Sequence, residues 1–189
     1  TLTAPMQDAL NAPPRLQIKN IALTGFMGCG KTTVGKLLAA KTGFTYTDID
    51  QLIVEQEGKS ISRIFAENGE PYFREVESKI IENQLKNNAN TVFSLGGGAV
   101  VHDRNKTILK QNALTVWLYS SIETTLQRVQ KEPGIRPLLD CPDPAARARD
   151  LLQKRLIHYT RAADLVVANQ DRPETAAEKI HDEINKTFK

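Results

Sequence analysis

The chain has 189 residues, of which 40% are hydrophobic and 25% charged, with a formal net charge of +3. That length favours one domain, the composition is that of a folded globular protein, and so mild a charge gives no case for a nucleic-acid partner. Cys29 and Cys141 are the only cysteines, too few for a disulfide framework and consistent with a reducing compartment, and no run approaches the ~18 apolar residues of a membrane span.

Residues 1–16 carry Pro5, Pro13 and Pro14 and no apolar signal-peptide run, so they are expected to be a flexible tail or a segment appended for expression. Residues 17–189 are expected to form one domain. Ile18 to Thr24 reads as a first strand. Val34, Leu37 and Leu38 recur at helical spacing in a helix that starts near Lys31 and stops at Gly43. Phe44 to Thr47 is a short second strand, followed by a helix from Leu52 to about Gly58. Ser60 is a candidate N-cap, and Pro71 occupies the first-turn position of a separate long helix through Lys86. Thr91 to Leu95 is a third strand, ending in Gly96, Gly97 and Gly98; Leu114 to Tyr119 is a fourth, with Ser120 and Glu123 as a capping box for the next helix. Asp164 to Ala168 is a fifth, and Pro173 opens the last helix. Strands separated by helices predict a parallel sheet with helices on both faces. Between Lys131 and Pro144 stand four prolines with Gly134 and Arg136, a composition that predicts a mobile loop.

Gly25 to Thr32 spells G-x-x-x-x-G-K-T between the first strand and the first helix. Glycines let such a loop curl until successive N–H groups face phosphate oxygens, and the helix N-terminus adds positive potential. Lys31 should reach the β- and γ-phosphates and the Thr32 hydroxyl a Mg²⁺ ion. The motif supplies a nucleoside triphosphate and a metal but leaves the phosphoryl acceptor open.

Asp48 and Asp50, two apart at the end of the second strand, should share a face at the sheet's C-terminal edge, where open α/β sheets bind ligands. One could hold the metal's water shell and the other accept a proton from a hydroxyl; Asp50 could equally cap the following helix. Arg74 offers a planar fork for a carboxylate, but Glu70 and Glu77 lie within pairing distance along the helix. Three successive glycines point to a backbone that either approaches a ligand closely or takes positive φ. Arg136 is placed to act as a lid arginine. Arg155 and Tyr159 stand one turn apart on a basic helix, and the three histidines lack metal-ligand spacing.

In this order these pieces resemble the shikimate kinase family: the loop at 25–33, Asp48-x-Asp50, Phe73-Arg74-x-x-Glu77, Gly96 to Gly98, Arg136-Pro137-Leu138-Leu139 and Arg155-x-x-x-Tyr159. The resemblance implies a three-layer α/β/α P-loop fold, a five-stranded parallel sheet in order 2-3-1-4-5 and a mobile lid at about 130–144, with acceptor-binding helices at about 50–88. It implies ATP-dependent phosphorylation of shikimate, with Mg²⁺ held by Thr32 and, through water, Asp48. Catalysis would fall to Asp50 as base, Lys31 and Arg136. Gly28, Cys29, Gly30, Lys31, Thr32, Thr33, Arg128, Arg136 and Arg172 would hold ATP, and Asp50, Arg74, Gly96, Gly97, Gly98 and Arg155 the acceptor. A cytoplasmic monomer without nucleic-acid or membrane partners is expected. Gluconate kinase shares the fold and loop but is disfavoured by Arg74, the glycine run and Arg136 to Leu139; a non-catalytic nucleotide-binding regulator could dispense with Asp50.

Overall fold

The structure, a computed structural model, describes residues 18–131, 139 and 141–187. The tail expected at 1–16, most of the lid segment and Arg136 lie outside the described residues.

Five strands form one parallel sheet: β1 (Asn20–Thr24), β2 (Thr45–Asp48), β3 (Thr91–Ser94), β4 (Leu114–Tyr119) and β5 (Leu165–Ala168), in the order β2-β3-β1-β4-β5. The helices are α1 (Lys31–Thr42), α2 (Ile49–Glu57), α3 (Ile61–Asn87), α4 (Asp103–Asn112), α5 (Ile122–Lys131), α6 (Pro144–Ala162) and α7 (Pro173–Thr187), with a 3₁₀ turn at Ala99–Val101. This is the fold and strand order expected.

Strand alternation divides the core in two. Ile21, Leu23, Val92, Val116 and Leu118 pack with Val34 and Leu38 of α1 and Ala177 and Ile180 of α7. Ala22 and Phe93, pointing the other way, pack with Ile53 of α2, Ile80 and Ile81 of α3, Leu109 of α4 and Tyr159 of α6. Every residue of β1 and β3 is buried, as strands covered on both faces must be. Among the described residues no helix is long and apolar enough to cross a membrane.

Several boundaries differ from the sequence reading. The second strand runs to Asp48, and α2 begins at Ile49, three residues before the expected Leu52, because Asp48 accepts a hydrogen bond from the Asp50 N–H at 3.0 Å and so caps the helix. Ser60 caps α3 as expected, accepting from the Arg63 N–H. The two helices anticipated around Pro71 run together as α3 but bend at Gly69, whose φ of 80° and ψ of 169° are not helical. The cap of α5 is Ser121, which takes the Thr124 N–H at 3.2 Å, and not Ser120, which is buried in the sheet edge. Helix α4 has no counterpart in the predicted elements; its buried residues are Asn105, Ile108 and Leu109, too few apolar positions to mark a helical face.

Candidate active site

All five strands point the same way, so the loops after β1, β2 and β3 gather at one edge of the sheet, where the chain passes from one side of β1 to the other. The loop from Gly25 to Gly30 leaves β1 and enters α1. Gly25, Gly28 and Gly30 have φ of 143°, 71° and 93°, a left-handed path open to glycine. No side chain caps α1, so its first N–H groups stay free to face a ligand. The Lys31 ammonium folds back to donate to the carbonyls of Gly25 at 2.9 Å and Phe26 at 3.1 Å. Cys29 is only 1% exposed and packs in the α1 layer, so it is a core side chain, with its N–H donating to the Phe26 carbonyl at 3.2 Å.

Gly28, Gly30, Lys31, Thr32 and Thr33 line one cleft together with Asp48, Asp50, Ser94 and Gly97. Asp48 and Asp50 thus reach a common space, but not as neighbours on a strand: Asp48 ends β2 and Asp50 sits in the first turn of α2. Asp48 is fixed at both oxygens, by the Asp50 N–H and by the Tyr46 hydroxyl at 3.1 Å. Asp50 Oδ1 is buried with no partner among the described residues. Burial above all, then the charges of Glu77 and Asp48, push the Asp50 carboxyl up to about 6, with Lys31 and Arg74 opposing. An unsatisfied buried carboxylate with a raised pKa suits a proton acceptor at neutral pH.

The glycine run explains itself by close approach, not by positive φ. Gly98 has φ of −108°, and none of the three lies in the left-handed region. A Cβ on Gly96 would collide with Glu77 Oε1 and stand 3.0 Å from Asp50 Oδ1. On Gly98 it would stand 2.5 Å from Arg74 Nη2, and on Gly97 it would touch Gly25 O and Arg155 Nη1 at 3.4 and 3.6 Å. The run is a thin wall between the phosphate-loop cleft and the buried side chains of Arg74, Glu77 and Arg155. Tyr159, fully buried and stacked on Trp117, holds that wall by donating to the Gly97 carbonyl at 2.6 Å.

On the far side of the wall, Arg74, Gly98 and Arg155 line a second opening with Glu70, Lys154 and His158. Arg74 is ion-paired, to Glu77 at 2.8 Å and Glu70 at 2.9 Å, so the helical pairing considered from sequence is real. It also orients the guanidinium against Gly98. Glu77 is fully buried, and burial raises its carboxyl against the pull of Arg74. Arg155 is 7% exposed and has no carboxylate within ion-pair distance among the described residues. A buried guanidinium that makes no direct ion pair, with Glu77 acting on it only at longer range, is prepared for an anion from outside.

Arg128, on α5, reaches the loop after β5 and donates to the Asn169 carbonyl at 3.1 Å. Arg172, just before α7, is well exposed and 3.7 Å from Glu174. Among the described residues no group of three or more His, Cys, Asp or Glu could hold a metal alone. The Thr32 hydroxyl and Asp48 carboxylate line the cleft and suit a hard cation such as Mg²⁺, which is commonly shared with the phosphates of a nucleotide.

A family model described as shikimate kinase matches residues 27–185. The chain belongs to the shikimate kinase family. The shikimate kinase of Caldicellulosiruptor bescii is 41% identical over 163 residues, covering 86% of this chain and 94% of that protein. That of Sulfurihydrogenibium is 40% identical, covering 89% and 99%. The solved shikimate kinase from Acinetobacter baumannii in complex with shikimate superposes with a TM-score of 0.85 at 37% identity, over 90% of this chain and 94% of that one. A gluconokinase from Sinorhizobium meliloti, at 13% identity and a TM-score of 0.60, shares the fold alone.

Within this shikimate kinase framework, sequence reasoning overlooked Tyr46, Ser94 and Asn169. Each reads locally as a strand or loop residue. Only the spatial neighbours, Asp48 for Tyr46 and Cys29 for Asn169, give them a place at the site.

Proposed function

We propose that the enzyme transfers the γ-phosphoryl group of ATP to the 3-hydroxyl of shikimate with Asp50 as the base. The reading is carried by one observation: Asp50 Oδ1, buried and without a partner among the described residues, lines the same cleft as the phosphate loop and Lys31. Main-chain N–H groups at Gly28 to Thr33 and the Lys31 ammonium would take the phosphates. Arg74 and Arg155 would grip the acceptor's carboxylate, with Gly96 to Gly98 as the floor beneath its ring. Two guanidinium groups on one side and a carboxylate on the other set the orientation of a small hydroxy acid.

The acceptor oxygen then forms a bond to the γ-phosphorus as the bond to the β,γ-bridging oxygen breaks. ADP leaves with that electron pair, and the hydroxyl proton passes to Asp50 Oδ1. Mg²⁺ bound with the nucleotide would neutralise phosphate charge, Thr32 and, through water, Asp48 being the side chains that would hold it. Arg128 and Arg172 flank the expected nucleotide-base side, and Arg136 belongs to the lid of this reading. A cytoplasmic monomer acting on two small molecules completes it.

The test is an ADP-release assay against shikimate, gluconate and nucleoside monophosphates. Turnover with shikimate at least a hundredfold above the others is expected; equal or better turnover with gluconate would refute the assignment of the acceptor.

A further inference from the structure

Asn169, one residue beyond β5, is 2% exposed and lies against the phosphate loop from the opposite end of the chain. Its Nδ2 donates to the Cys29 carbonyl at 2.8 Å across 140 residues. Its own N–H donates to Tyr119 O at 2.8 Å, which locks it to the end of β4. Its carbonyl accepts from Arg128 Nη1 at 3.1 Å. The same two residues converge on Gly30: a Cβ there would collide with Asn169 Nδ2 and stand 3.8 Å from Arg128 Nη1.

We propose that Asn169 is a positioning residue that aims the Gly30 amide at the triphosphate and joins the loop to Arg128. The argument is one of peptide geometry. In a trans peptide the carbonyl of Cys29 and the N–H of Gly30 belong to one rigid plane and point in opposite directions. Fixing the carbonyl outward on Asn169 turns the N–H the other way, toward the cleft that Gly30 lines. Without that anchor the Cys29 side chain and N–H stay fixed in the core, but the carbonyl of the 29–30 peptide loses its partner beside Gly30, a residue with wide conformational freedom. Packing alone does not account for an asparagine here. Its Oδ1 is buried with no partner among the described residues, a desolvation cost that an apolar side chain of the same size would avoid. The absence of a Cβ at Gly30 is also what lets the Asn169 amide come this close.

The inference rests on the proposed role of the loop in binding ATP. Its test is calorimetric titration of ATP and steady-state kinetics on Asn169→Leu, which keeps the side-chain size and removes the donor. The dissociation constant and KM for ATP should rise roughly five- to twentyfold, while kcat at saturating ATP and KM for the acceptor stay within about twofold. With Arg128→Met added, the loss should fall short of the product of the two single losses, since both act on one unit. Wild-type ATP affinity in folded Asn169→Leu, or a lower melting temperature as its only change, would overturn the proposal. Should the leucine variant not fold, Asn169→Ala is measured in the same way: weaker ATP binding with kcat preserved supports the proposal, and unchanged ATP binding overturns it. If the unaltered protein itself fails to bind ATP, the fault lies with the reading of the loop and this inference falls with it.

Discussion

The two sides of the Gly96–Gly98 wall solve recognition differently. Toward the phosphate loop the ligand surface is mostly main chain, bent by three left-handed glycines and served by the N-terminus of α1. On the far side it is side chain: Glu77, Arg74 and Arg155, all buried and gathered from α3 and α6. A phosphate is met by many weak, geometrically fixed dipoles, so the first side depends on side chains chiefly at Lys31 and Thr32. The second pays in desolvated charge for discrimination, and each of its members should matter sharply.

The strongest way to break that contrast is Asp50→Asn. Turnover should drop about 10²- to 10⁴-fold while ATP affinity stays within a few-fold, read by coupled assay and titration. The same variant should melt higher at pH 7. A carboxyl raised to about 6 in the folded state binds its proton more tightly there than in the unfolded chain, so its ionised form opposes folding above the unfolded value. A lower melting temperature would show that the Asp50 carboxylate stabilises the fold instead of opposing it.

Next comes Arg74→Lys. A point charge cannot serve Glu70, Glu77 and an incoming carboxylate as a fork does, so KM for the acceptor should rise about ten- to a hundredfold with KM for ATP little changed. An equal rise in both would erase the division at the glycine wall. The pH profile sharpens it further. Below pH 6 Asp50 is protonated and cannot accept a proton, so kcat/KM should fall about tenfold per unit there and flatten above pH 7. A flat profile from pH 5 to 7 in the unaltered enzyme would remove Asp50 as the base. The smallest effect belongs to Tyr159→Phe, which deletes the donor to the Gly97 carbonyl. About 1 kcal/mol of stability should be lost, with acceptor binding weakened a few-fold. An unchanged melting curve would mean that the wall stands without it.

The contrast also governs what the sequence could reveal. The phosphate loop is contiguous, its backbone demands are met by glycine, and its strand–loop–helix setting has a local signature, so loop and fold were both legible. Asp50 was found for a partly mistaken reason: strand spacing suggested a shared face, whereas the Asp48 cap starts a helix one residue later. The pairing of Arg74 was visible as helical spacing, but its burial against Gly98 was not. Asn169 contacts a residue 140 positions away, and no periodicity or turn chemistry encodes such a contact. Ser120 and Ser121 are chemically equivalent as caps, and only the depth at which β4 ends decides between them.

Asp48 both begins α2 and lines the cleft of the phosphate loop, and its second oxygen belongs to Tyr46. Unravelling the first turn of that helix would swing Asp50 away while Tyr46, on β2, kept its hold on Asp48. Local melting at this one junction therefore parts the two acids, removing the one proposed to take the proton and leaving the other in place.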